Sequence, residues 1–152
     1  MDSKLCLRKA RMSDCRILYN FRMDRDVRKN SFHHETFPYD AHRVWYQRLL
    51  EDPDKVQYVL EEDGAPVGQI RIAKEGDDGV IGYSVDAPFR GKGYGTRLLI
   101  LAEEQVKKDL PGIRALVGEV LPENLPSQHA FEKDGYQKAQ VLEDRIVYRK
   151  EL

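Results

Sequence analysis

The chain has only two cysteines, Cys6 and Cys15, too few and too irregularly spaced for a disulfide framework or a metal site, and it has no CxxC. Both are read as small core or near-surface residues. It also lacks a long apolar run. The longest, Leu98–Ala102, is far short of the ~18–20 residues needed to cross a bilayer. Met1–Leu7 carries Asp2, Ser3 and Lys4 and has no apolar h-region, so no signal peptide is read there and a cytoplasmic location, with no membrane partner, is expected. Neither charge sign is in surplus: 25 Lys+Arg stand against 26 Asp+Glu, which argues against a general nucleic-acid binder. There is no repeat, low-complexity tract or Gly/Ser linker. A single domain over residues 1–152 is therefore expected, and a chain of ~150 residues buries roughly 70% of its unfolded surface, enough for a core without staples.

The balanced charge hides a gradient. Residues 1–50 sum to +5, residues 51–89 to −7 and residues 90–152 to +1. The basic N-terminal third, with His33, His34 and His42, could receive an anionic ligand, although a solvated charged face is the commoner explanation of such a surplus. Lys4–Lys9 reads as a first strand. Ser13 or Asp14 then caps a helix carrying Ile17, Leu18 and Phe21, and Asp40 caps a second with Ala41, Val44, Trp45 and Leu49 as its inward stripe, stopped by Pro53. Gln57–Glu62 and Pro66–Ala73 flank Asp63-Gly64, a strong hairpin signal, and Val80–Asp86 adds a third antiparallel strand. A helix opening near Gly93–Thr96 with Leu98, Leu99, Ala102 and Val106 on one face, a strand at Ile113–Leu121, a helix at Asn124–Asp134 closed by Gly135, and a last hairpin (Tyr136–Gln140, Arg145–Arg149) complete the order β-α-α-β-β-β-α-β-α-β-β. The fold class is α+β, a mixed α/β sheet.

The most informative segment is Asp86-Ala87-Pro88-Phe89-Arg90-Gly91-Lys92-Gly93-Tyr94-Gly95-Thr96, between a strand and an amphipathic helix. Three alternating glycines let successive amides approach one anion, and the helix N-terminus adds about half a positive charge in the same direction. Arg90, Lys92 and Arg97 supply cations, so a pyrophosphate suits the loop. A Walker loop needs Ser or Thr after Lys92, where Gly93 stands. A dinucleotide fingerprint needs a third glycine where Thr96 stands, and a parallel βαβ unit that the preceding antiparallel strands do not offer. A merely structural glycine turn remains the alternative.

Arg90-Gly91-Lys92-Gly93-Tyr94-Gly95 resembles the R/Q-x-x-G-x-G/A acyl-CoA loop of the GNAT N-acetyltransferases, at that family's place after the fourth strand. Val120-Leu121-Pro122-Glu123-Asn124, followed by Ser127, Phe131 and Gly135-Tyr136, is similar to the family's segment after the fifth strand. The resemblance implies the GNAT fold, with its sheet splayed between strands four and five, and acetyl-CoA as co-substrate with no metal. It further implies that Ser84, Val85 and Asp86 offer backbone groups to the pantetheine, that the diphosphate sits on Arg90–Gly95 with Thr96 at the helix start, and that Asn124 contacts CoA from the other side. The implied reaction is direct attack of a neutral amine on the thioester, with a base for the amine and an acid for the leaving thiolate.

One departure matters: the family's tyrosine acid, seven residues after the Asn, is Phe131 here. Ser127, as in the RimJ/RimL-like branch, is the proposed thiolate partner, with a helix-cap role equally open; Tyr83 and Tyr136 are alternative phenols. Glu35, Glu119, His33 and His34 are candidate bases. The segment Tyr19–Ser31 with His42 and Trp45, and Gly68–Arg71, resembles acetyltransferases of nucleotide-linked amino sugars in pseudaminic-acid and surface-polysaccharide pathways. That implies a UDP-amino sugar acceptor held by Arg25, Arg28, His33, His34 and Trp45. A RimJ/RimL-like protein N-terminal or small-amine acetyltransferase is the alternative, and a non-catalytic acyl-CoA-binding module a second. Homodimerisation is left open.

Overall fold

The computed structural model describes residues 4–152; Met1–Ser3, on which part of the N-terminal reading rests, lie outside the described residues. The elements are β1 (Leu5–Lys9), α1 (Cys15–Met23), α2 (Arg25–Lys29), α3 (Tyr39–Glu51), β2 (Lys55–Glu62), β3 (Ala65–Glu75), β4 (Asp78–Val85), α4 (Tyr94–Asp109), β5 (Ala115–Val120), α5 (Leu125–Lys133), β6 (Gln137–Val141) and β7 (Ile146–Glu151). One sheet runs β1-β2-β3-β4-β5-β7-β6, antiparallel except where β4 meets β5. This is the α+β class expected, with one element more. The five-residue α2 follows α1 directly because the Asp24 carboxylate accepts from the amides of Asp26 (2.9 Å) and Val27 (3.1 Å), a side-chain cap that restarts the helix. The Asp63-Gly64 turn has φ of 51° and 86°, as a tight hairpin turn requires.

Each face of the sheet carries its own core. Under α4 and α5, Tyr58, Leu60, Ile70 and Ile72 pack on Leu98, Leu99, Ala102, Val106 and Phe131. On the opposite face Cys15, Leu18 and Phe21 of α1 and Tyr46 and Leu49 of α3 cover Val59. β2 therefore buries consecutive residues, Val56 through Leu60. The inward stripe of α3 differs from the expected one. His42, Tyr46 and Leu49 are buried and Trp45 half-buried, while Ala41 and Val44 are exposed and the cap position is Pro38 rather than Asp40. Internal partners admit the polar rings: His42 Nε2–H donates to the Cys15 carbonyl (3.1 Å), and the Tyr46 hydroxyl to the Arg11 carbonyl (2.6 Å). Polarity read without partners turns such a helix the wrong way.

β4 and β5 pair only over Asp78–Ile81 with Ala115–Gly118 and then part, although β4 stays paired to β3 as far as Val85. This is the splay expected between the fourth and fifth strands. Asp86 N–H donates to the Val67 carbonyl (2.8 Å), and Gly68 stands opposite Val85. By antiparallel alternation the backbone groups of Ser84 and Asp86 face β3, whereas those of Tyr83 and Val85 face the gap.

Candidate active site

A cleft of about 710 Å³ opens at this gap, walled by the end of β4, the glycine loop, α5 and α2. Gly91 and Gly93 hold φ of 76° and 84°, left-handed values that side chains rarely adopt. Gly93 is the N-cap of the sixteen-residue α4, and no side chain caps that helix, so its first-turn amides stay available to an anion. Of the expected donor-side residues, Ser84, Val85, Arg90, Gly91, Gly93, Tyr94, Gly95, Thr96, Asn124 and Ser127 line the cleft, and Asp86 and Lys92 do not.

Several of these side chains have local duties. The Asp86 carboxylate accepts from Ala87 N–H (3.1 Å) and fixes the turn ahead of the loop. Lys92 is exposed. Arg90 donates to the Val85 carbonyl (3.0 Å) and is ion-paired with Asp24 (2.9 Å) and Asp26 (3.1 Å), so the loop's first cation is tied to α2. The Ser84 hydroxyl points to the other face and accepts from Gln69 Nε2 (3.1 Å). Tyr94 donates to Glu62, and the Asn124 side chain caps α5 by accepting from Ser127 N–H (3.3 Å).

At the gap Tyr83 Oη and Ser127 Oγ lie 2.9 Å apart, and both residues line the cleft. Burial raises the Tyr83 phenol pKa, so it stays protonated and able to donate. Phe131, at the expected acid's position, is core: it meets Tyr83 edge-on (5.7 Å) and stacks on Tyr148 (5.3 Å), and a Cβ on Gly118 would come within 2.3 Å of it. Tyr136 is also core; its hydroxyl is buried with no partner and its pKa is raised by burial.

The family model described as acetyltransferase (GNAT) family matches residues 17–136. The chain belongs to the GNAT acetyltransferase family. With membership comes the enzyme class, an N-acetyltransferase that draws its acetyl group from acetyl-CoA. Solved structures share the fold at low identity. Spermidine N-acetyltransferase from Vibrio cholerae, in complex with CoA and spermine, superposes with a TM-score of 0.84 at 18% identity over 97% of this chain and 94% of its own. AAC(6′)-Ib with paromomycin and acetyl-CoA gives 0.83 at 17% identity, over 97% and 93%. RimL, a ribosomal alpha-N-protein acetyltransferase, in complex with coenzyme A, gives 0.81 at 18%, over 99% and 96%.

In this GNAT domain the expected acceptor residues do not converge. Arg25, His33, His34 and Glu35 are exposed and line neither the cleft nor the second cavity described below. Arg28 donates to the backbone carbonyls of Met23 (3.2 Å) and His34 (3.3 Å), holding its own loop. Glu119 lies one residue past the last β4–β5 pair, its carboxylate ion-paired with Arg145. Trp45 faces the second cavity, on the opposite sheet face, together with Arg71 and Gly82. One group of cleft residues lay outside the sequence reading, Pro126, His129, Ala130 and Lys133 on α5, whereas Asp26 and Val27 of α2 and the following Asn30 and Ser31 belong to the Tyr19–Ser31 segment already singled out. The α5 set is an i, i+3, i+4, i+7 stripe visible in the sequence. Among the described residues no helix is long and apolar enough to cross a membrane, and no His/Cys/Asp/Glu group could hold a metal ion.

Proposed function

We propose that the protein transfers acetyl from acetyl-CoA to the primary amine of a nucleotide-linked amino sugar, in a ternary complex. The observation that carries the reading is the gap beyond Ile81 and Gly118, with the Tyr83–Ser127 pair on its donor side. The CoA diphosphate sits on the amides of Gly91–Thr96 at the uncapped start of α4, and the pantetheine runs along the edge of β4 against the backbone of Val85 and Tyr83. An amine arriving from the opposite face attacks the thioester carbonyl, whose developing oxyanion takes a backbone N–H of β4. The C–N bond forms and the C–S bond breaks. Tyr83, hydrogen-bonded to Ser127, gives its proton to the leaving thiolate, and Glu119, on the β5 side of the gap, takes the amine's proton directly or through water. Support for the acceptor class comes from the N-terminal resemblance and from the basic first third of the chain.

The test is release of free CoA thiol from acetyl-CoA with four acceptors: a UDP-4-amino sugar, a polyamine, an aminoglycoside and a peptide with a free N-terminus. Turnover on the sugar nucleotide is expected to exceed the others. Preference for a polyamine or a peptide would overturn the acceptor assignment. CoA binding without thiol release from any of the four would overturn the catalytic one.

A further inference from the structure

Arg71, on β3, stands opposite Gly82 of β4, and its guanidinium would lie 3.5 Å from a Cβ built on that glycine. Gly82 is the first β4 residue beyond the last pair with β5, so the guanidinium lies beside the mouth of the gap. It faces the second cavity, about 290 Å³, while Tyr83, the next residue, faces the donor cleft on the other side of the sheet. Burial lowers the Arg71 pKa, and among the described residues its guanidinium makes no ion pair.

A second guanidinium lies close by. Arg22 of α1 is 4.2 Å from the Trp45 ring and 4.3 Å from Phe37, and Arg71 is 5.1 Å from the same Trp45. Arg22 donates to Nδ1 of His42 (3.1 Å), which accepts because Nε2–H is committed to the Cys15 carbonyl. Burial and Arg71 together push the Arg22 pKa down to about 10. Arg22 adjoins the cavity through Trp45 and does not line it; the charged groups that line it beside Arg71 are Lys55, ion-paired with Asp52 at 3.8 Å, and Glu75 at the exposed end of β3. Two half-buried guanidiniums without a carboxylate are costly unless water or a ligand anion satisfies them, and a rigid fork matches phosphate oxygens two at a time.

We infer that Arg71 and Arg22, braced by Trp45, form an anion subsite on the acceptor face that takes the phosphate groups of the acceptor. The inference rests on the acceptor reading above and relocates the charge recognition from Arg25 and Arg28 to the mouth of the gap. The occupant carries at least two negative charges, since Arg71 lines the cavity and Arg22, on the same Trp45 ring, adds its charge to the field there.

The test is titration calorimetry of the full chain, saturated with CoA so that the donor cleft is occupied, using pyrophosphate and UDP as probes and acetate as the single-charge comparison. Pyrophosphate and UDP are expected to bind and acetate not. Arg71→Gln is expected to weaken both at least tenfold and to leave CoA affinity unchanged. Gly82→Val, which crowds the guanidinium but keeps its charge, is expected to weaken both as well, and serves if Arg71→Gln fails to fold. Unchanged pyrophosphate affinity in a variant that melts like the wild type would overturn the subsite, as would acetylation of a nucleotide-linked amino sugar by Arg71→Gln with unchanged KM. Pyrophosphate binding that depends on Arg71, without any acetyl transfer to such a sugar, upholds the subsite and overturns the acceptor reading instead.

Discussion

Tyr83 and Ser127 share one hydrogen bond at the point where β4 and β5 separate, and their contributions are separable by substitution. The buried phenol holds its proton throughout the working pH range, because its pKa is raised from 10.0. It therefore serves as a donor to the thiolate without needing prior titration. Tyr83→Phe removes the proton and keeps the edge-on contact with Phe131, so kcat is expected to fall by about 10²-fold, the lower end of what a general acid contributes, with KM for acetyl-CoA little changed. Ser127→Ala loses a single neutral hydrogen bond, worth about 1 kcal/mol, or roughly fivefold in kcat. Steady-state CoA release on a working acceptor reads both. Wild-type kcat in Tyr83→Phe would show that the thiolate's proton comes from elsewhere.

The opening of α4 does two things at once: it turns the chain left-handed at Gly93 and it leaves the first-turn amides uncapped. Gly93→Val is expected to cost about 1–2 kcal/mol of stability through its positive φ, and to weaken acetyl-CoA binding by more than that strain alone explains. Gly76→Val is the control, since Gly76 also has a positive φ (62°) with open space around it but lies in the β3–β4 turn. The control should lose stability and keep its CoA affinity; an equal loss of affinity in both would sink the loop assignment. At this scale the sequence was most legible where local chemistry decides structure. Asp63-Gly64 forms its hairpin, Gly93 opens α4, and Asn124 and Gly135 bracket α5. It was least legible where a polar group finds a distant partner. The run Arg25–Lys29 has one apolar residue, Val27, and becomes helix only because Asp24 caps it. His42 and Tyr46 turn inward because Cys15 and Arg11 accept from them, and Arg90 is tied to α2 by Asp24 and Asp26, sixty-six and sixty-four residues away. Arg71, on an alternating strand, reads as an ordinary outward charge until Trp45 and Gly82 are seen around it.

The whole molecule is a sheet between two cores, and each core holds one group that titrates against the other. On the α1–α3 face, burial and Arg22 push the His42 pKa down to about 4, from 6.5. A lowered folded pKa means stability present above the unfolded value and lost as pH falls through the folded one. On the α4–α5 face, burial and the neighbouring Asp134 push Glu103 up to about 7, from 4.5, while Lys150 bonds its carboxylate at 3.1 Å and Asp134 at 3.3 Å. A raised folded pKa means stability present below the unfolded value and lost as pH climbs through the folded one. Between pH 4.5 and 6.5 the two slopes are opposite, so the wild-type melting temperature is expected to be nearly level there, then to fall toward pH 8 as Glu103 ionises beside Asp134. Glu103→Gln removes one slope and exposes the other. Its Tm should rise from pH 5 to pH 7, by roughly 1–2 kcal/mol of stability or about 2–8 °C, and should not fall between pH 7 and pH 8. Thermal melts of both proteins across pH 4.5–8 read this directly. A variant profile parallel to the wild type would mean that Glu103 does not hold its proton in the folded protein, and that Lys150 compensates both carboxylates at neutral pH.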